Sequence, residues 1–220
     1  MGDRLFLATM NRRCVATASS VFALLFLAST TTAPLASAAP GYFAASSYPA
    51  HFVTSPIAEK SNSFTWNEEA YACSSTSYTG NLTEKSTQLT FEPAFSGCKV
   101  GELPATVTTN GCDYVLKAGE GTEAEFPVTA DLECPSEKKL ELHRYASAAK
   151  HTEGVSDCTL TAATQTGLEG LTYTKEAGTD AFLLEGTLEL ALQTHGACAF
   201  GFTINVTGFQ HVNVTAAPTS

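Results

Sequence analysis

The chain has 220 residues, 44% hydrophobic, 10% aromatic and only 15% charged, which excludes disordered, collagen-like and coiled-coil chains and points to one folded domain. Twelve Lys and Arg against 22 Asp and Glu give a formal charge of −10. With no basic cluster after residue 13, a phosphate-binding surface is excluded and no nucleic acid partner is expected.

Residues 1–38 read as an export signal. Arg12 and Arg13 precede an apolar stretch, Val21 to Leu27, and the segment closes on Ala36-Ser37-Ala38, the small-x-small pattern of a cleavage site. Met10 is an alternative start. Arg12-Arg13 also admits a twin-arginine signal, but Asn11 and Cys14 fit it poorly and the general secretory route is preferred. Cys14 lies before the apolar stretch, so it is no lipid-anchor cysteine and leaves with the signal. No later stretch approaches the ~18 to 20 apolar residues of a membrane helix, so no transmembrane segment is expected in the mature chain. Removal of residues 1–38 leaves 9 basic and 21 acidic groups in a secreted or cell-surface protein.

The mature chain divides into an N-terminal strand and linker over 39–62 and a main domain over 63–217. Tyr42 to Val53 is the expected first strand, with Glu59 to Asn62 in a connecting loop. Period-two patterning dominates the main domain. Its clearest case is Phe126, Val128, Ala130, Leu132 and Cys134 alternating with Glu125, Pro127, Thr129, Asp131 and Glu133, the mark of a half-buried strand. Pro127 cannot donate to a ladder, which predicts an edge strand or a bulge there.

Shorter alternating runs centre on Leu89, Leu140, Cys158, Leu171 and Phe182. Two longer ones, Leu188 to Leu192 and Cys198 to Val206, flank His195-Gly196, read as a turn. Further turns are expected at Gly80-Asn81, Asn110-Gly111, Gly119 to Gly121, Gly167 to Gly170, Gly178 and Gly208. The only helix expected is a short one over Arg144 to His151, which lacks a clear N-cap. Many short strands between frequent turns predict an all-β antiparallel sandwich or a partly open barrel.

Cys73, Cys98, Cys112, Cys134, Cys158 and Cys198 form an even set in an exported chain, the usual sign of a disulfide framework. Six cysteines allow fifteen pairings. Spacing favours Cys98 with Cys112, Cys134 with Cys158, and Cys73 with Cys198. A zinc site would place cysteines two to four residues apart, and none is so spaced.

Three segments then carry a resemblance: Phe43-Ala44-Ala45-Ser46-Ser47-Tyr48-Pro49-Ala50, Phe95-Ser96-Gly97-Cys98, and Leu103-Pro104-Ala105-Thr106-Val107 leading to Asn110-Gly111-Cys112-Asp113-Tyr114. Together they resemble a group of uncharacterised exported, cysteine-containing β-rich proteins of actinobacteria. The resemblance covers mainly residues 42–134. It implies export and a disulfide-bonded β-rich domain and brings no activity, ligand or catalytic residue.

Motifs for chemistry are missing. There is no Gly-x-Ser-x-Gly elbow, no His-Glu-x-x-His, no phosphate loop and no dinucleotide fingerprint. His143 falls on the polar parity of its strand and is expected at the surface. Glu68, Glu69, Glu123 and Glu125 supply carboxylates that a glycoside hydrolase needs in pairs, but 21 acids make chance pairs common. Glu125, Asp131 and Glu133 share one outward strand face, expected to be solvated. Gly119-Glu120-Gly121-Thr122-Glu123 lacks the Asp of a calcium loop. No cofactor or metal is expected.

Trp66, Tyr71 and Tyr78 are the candidate ligand-stacking residues, since β-domains that bind polysaccharide present aromatic faces to sugar rings; a core role for Trp66 is the competing reading. The sequence therefore predicts an exported non-catalytic structural or binding module of unknown ligand acting outside the cytoplasm, with cell-wall or extracellular polysaccharide or a protein as the open choices of partner. The alternatives are a small extracellular hydrolase of polysaccharide and a protein-binding adhesion or inhibitor domain.

Overall fold

The computed structural model describes residues 39–56, 63–66, 69–198 and 203–216. The expected signal peptide, the loop at 59–62, Glu68, Phe200 and Phe202 lie outside the described residues.

From β1 (Ala39–Pro40) the chain passes Phe43, bridged to Ser86, and enters β2 (Ala50–Pro56). The first long strand thus starts behind Pro49, not at Tyr42, because proline has no N–H to give to a ladder. β3 (Ser63–Trp66), β4 (Glu69–Leu82) and β5 (Gln88–Val100) form successive antiparallel pairs. Along β5 the alternation of Leu89 and Phe91 (buried) with Thr90 and Glu92 (exposed) is the expected one. β6 (Leu103–Thr108), β7 (Asp113–Ala118), β8 (Glu120–Gly121) and β9 (Glu125–Glu133) come next. The turn predicted at Asn110-Gly111 is present, both residues having positive φ. After β10 (Leu140–Arg144), α1 (Ala148–Glu153) and β11 (Cys158–Ala162) come the long strands β12 (Gln165–Lys175) and β13 (Phe182–Ala191). Short β14 (Gln193–Gly196) and long β15 (Thr203–Ala216) complete the order.

All pairings are antiparallel, and eight strands close on themselves in the order β5-β7-β9-β12-β13-β15-β2-β4 and back to β5. The all-β architecture expected from alternation is therefore a closed barrel. β2 and β3 share one position in the wall, since each pairs with a different part of β15 and of β4. A side sheet of β6, β10, β11 and β14 extends from Lys99 and Val100 at the end of β5.

The disulfides are Cys73–Cys98, Cys112–Cys134 and Cys158–Cys198. None of the pairings favoured by spacing forms. Sequence separation follows the loops, whereas each bond joins strands that are ladder neighbours. Cys73 and Cys98 face each other in the β4–β5 pair, Cys112 and Cys134 flank the Asp113–Glu133 pair of β7 and β9, and Cys158 lies opposite Gly196, two residues before Cys198. Cys98 and Cys112 are separated in space because β6 leaves β5 for the side sheet between them.

Other expectations are corrected in the same way. β9 is an interior strand, with β7 on one side and β12 on the other, and its bulges lie on β12. Pro127 is tolerated because the carbonyl of Gly119, which faces it beyond the end of β7, accepts the N–H of Gly41, while Gly119 N–H donates to Pro127 O. The helix starts four residues later than expected, with Ser147 Oγ accepting from Lys150 N–H as its N-cap and Gly154 closing it. Gly80-Asn81 and His195-Gly196 are not turns but lie within β4 and β14, and Gly167 to Gly170 lie within β12. At Gly80 a side chain would come within 2.4 Å of Thr90 O, so glycine serves close strand approach there.

Asp131 is also corrected: it is buried, not solvated. One carboxylate oxygen accepts from Lys117 Nζ and the other from Gly167 N–H at 2.8 Å, so it ties the irregular start of β12 to β9. His143, expected at the open surface, is half-buried between Glu141 and Thr159, hydrogen-bonded to each at 3.1 Å.

One end of the barrel is filled by aromatic rings. Phe126 stacks on Tyr173 at 4.2 Å, Phe182 packs on Tyr173, and Phe43 from the N-terminal segment meets both Phe126 and Tyr173 edge-on. Burial, with Asp180 nearby, pushes the Tyr173 phenol up to about 12, so it stays neutral.

Candidate functional site

The interior of the barrel next to this aromatic plug is not filled. Along β13 the inward residues are Phe182, Leu184, Leu188 and Leu190, and the inward position between Leu184 and Leu188 belongs to Gly186. Along β15 they are Ile204, Val206, Gln210 and Val212, with Gly208 at the position between. Gly186 and Gly208 are ladder partners, so two adjacent inward positions carry no side chain. Gly186 is required by its neighbour: φ is 145°, and a Cβ there would lie 1.9 Å from Gly170 O.

A cavity of about 60 Å³ lies over this gap, bounded by the flanking Leu184, Leu188, Val206 and Gln210. Across from them it is walled by Thr54, Tyr78, Phe91, Tyr114, Leu116 and Leu171. None of these side chains carries a charge, and most are apolar, as in small-molecule sites generally.

The polar groups differ sharply in how they are satisfied. Thr54 Oγ1 accepts the Tyr78 N–H at 2.8 Å, completing the ladder where β2 turns away from β4. Among the described residues, Gln210, 3% exposed, has no partner for either its amide nitrogen or its amide oxygen. Tyr114, 5% exposed, has none for its hydroxyl. Burial drives the Tyr78 and Tyr114 phenols well above their ordinary range, Tyr114 further through its neighbour Tyr78. Both remain neutral donors. An unpaired buried amide or hydroxyl costs about 1–3 kcal/mol, and these atoms are covered by surrounding side chains rather than open to the cavity.

The structure separates the stacking candidates. Tyr78 lines the cavity and meets Phe91, Phe95 and Tyr114 edge-on, so it faces the barrel interior. Tyr71 is fully buried, which removes it from any surface stacking platform. Trp66 ends β3 opposite Glu69, and its side chain lies outside the described residues. Among the carboxylates proposed for hydrolysis, Glu123 and Glu125 are exposed, and Glu123 borders a surface hollow with Lys85 and Lys175. The Glu141–His143–Thr159 chain occurs on paired strands of the side sheet, where Thr159 belongs to a strand paired on both sides.

Gln210 and Tyr114 were not singled out by the sequence. A polar residue at the inward parity of an otherwise apolar strand is the signal that marks Gln210. No protein-family model, curated protein or solved structure matches this chain.

Proposed function

We propose that the protein is an exported, non-catalytic binding module that holds a small, largely apolar ligand inside its barrel. One observation carries this reading: an apolar cavity of about 60 Å³ lies inside the barrel over the Gly186–Gly208 pair. Small-molecule sites are concave and predominantly apolar in this way. The export signal over residues 1–38 and three disulfides support action outside the cytoplasm, as the resemblance to exported actinobacterial proteins does.

The test is native mass spectrometry of the protein recovered from the medium of a producing culture. A discrete adduct, lost on unfolding and absent when Val206→Phe fills the cavity, is the expected result. The bare polypeptide mass in both proteins contradicts the proposal.

A further inference from the structure

Resting on the binding-module reading, the geometry points to the chemical class of the ligand: we infer that it is a compact hydrocarbon, branched or cyclic and without a polar head, enclosed in the barrel over the Gly186–Gly208 pair.

The chemistry of the wall selects a hydrocarbon. Among the described residues, no Lys, Arg, His, Asp or Glu lines the cavity, and its surface is almost wholly apolar. The amide atoms of Gln210 and the Tyr114 hydroxyl are covered by surrounding side chains, and Thr54 Oγ1 is engaged by the Tyr78 N–H at 2.8 Å. A carboxylate, phosphate or ammonium entering here would lose its hydration without compensation, and an ether or ketone oxygen would do so on a smaller scale. A hydrocarbon has no such loss and gains from removal of its surface from water and from dispersion contacts with the leucines and rings.

The register selects a compact one. On the β13–β15 pair the inward rows are Phe182 with Val212, Leu184 with Gln210, Gly186 with Gly208, Leu188 with Val206, and Leu190 with Ile204. Only the middle row carries no side chain. At about 3.3 Å per residue the rows on either side of it lie roughly 13 Å apart along the strands, and their side chains intrude on that interval from both directions. Beyond them the interior is closed by Phe126, Tyr173 and Phe182 at one end and by Leu190 and Ile204 at the other, all 3% exposed or less. An acyl chain threaded along the barrel axis would have to displace one of these rows, and a headgroup on it would not reach water. At roughly 10–15 Å³ per water-sized group, a cavity of about 60 Å³ takes around four to six carbon atoms.

The experiment titrates the oxidised mature protein at pH 7 with cyclopentane, tetrahydrofuran, n-pentane and decanoate, followed by calorimetry and by the methyl resonances of Leu184, Leu188 and Val206. Cyclopentane is expected to bind at least about tenfold more tightly than tetrahydrofuran, the same ring with one oxygen, and more tightly than n-pentane, with decanoate not binding. Val206→Phe should abolish cyclopentane binding. Because the ranking of probes on the unaltered protein needs no variant, the inference stays testable if Val206→Phe folds poorly. Tetrahydrofuran, n-pentane or decanoate binding as tightly as cyclopentane overturns the compact hydrocarbon while leaving the barrel a ligand site. Failure of all four probes, with no adduct in the protein from its producer, overturns both.

Discussion

Asp131 shows how a single side chain can be misread from its parity and what its burial does. Its carboxylate is held below the usual range by the Lys117 ammonium and the Gly167 N–H, with burial opposing them. A depressed folded-state pKa means stability present above the ordinary carboxylate pKa of about 3.9 and lost as pH falls toward the lower folded value. Asp131→Asn is expected to cost about 2 kcal/mol at pH 7 and progressively less below pH 4, as read by urea denaturation across pH. An equal cost at pH 7 and pH 2.5 removes the ionic contribution. Gln210 makes the opposite prediction. Gln210→Met deletes two buried atoms that have no partner among the described residues and should raise stability by about 1–2 kcal/mol. A destabilised variant means that the amide is already satisfied in the resting protein. Neither residue was legible as such. Asp131 lies on the polar parity of β9 and is covered only because the bulged start of β12 folds over it, a long-range event. On β15 the inward alternation runs on past Val206, but glycine and glutamine occupy its next two places, so the hydrophobic signal stops where the cavity begins.

At the scale of elements, alternation was readable wherever a strand has one face in the barrel, as in β9 and β13. It failed where pairing partners decide the structure. β14 consists of Gln193, Thr194, His195 and Gly196, with no strand pattern of its own, and exists through its ladder to β11. The disulfides follow the same logic, since ladder neighbours and not sequence spacing bring cysteines together. Cys158–Cys198 spans 40 residues and fastens β11 to the segment after β14. Cys158→Ala with Cys198→Ala is expected to cost roughly 3–4 kcal/mol by loop-closure entropy, with hydrogen exchange rising first in β14. Uniform loss of protection over the whole barrel contradicts a local fastening. Phe43 is the corresponding element at the plugged end, fully buried against Phe126, Tyr173 and Phe182. Phe43→Ala should lower stability by about 3–4 kcal/mol, as measured by chemical denaturation, and a loss under about 1 kcal/mol shows that the barrel does not depend on its plug.

For the whole molecule, closure of eight strands removes the open edges that an antiparallel sandwich of the same strands would keep, and it encloses an interior. That interior is packed with aromatic rings at one end and left open over the Gly186–Gly208 pair beside it. Eight strands give a barrel just wide enough to be filled by side chains or to hold one small ligand, and the glycine pair makes the difference between the two. The alternation foretold an all-β domain but could not foretell closure, because whether the first and last strands meet depends on twist and register accumulated over the entire chain. A high-resolution crystal structure of the protein purified from its producer is the most direct measurement of what the barrel is for. Continuous density for an organic molecule between the Gly186–Gly208 pair and the rings of Tyr78, Phe91 and Tyr114 is the expected result; a cavity that holds nothing but ordered water contradicts a ligand-binding barrel.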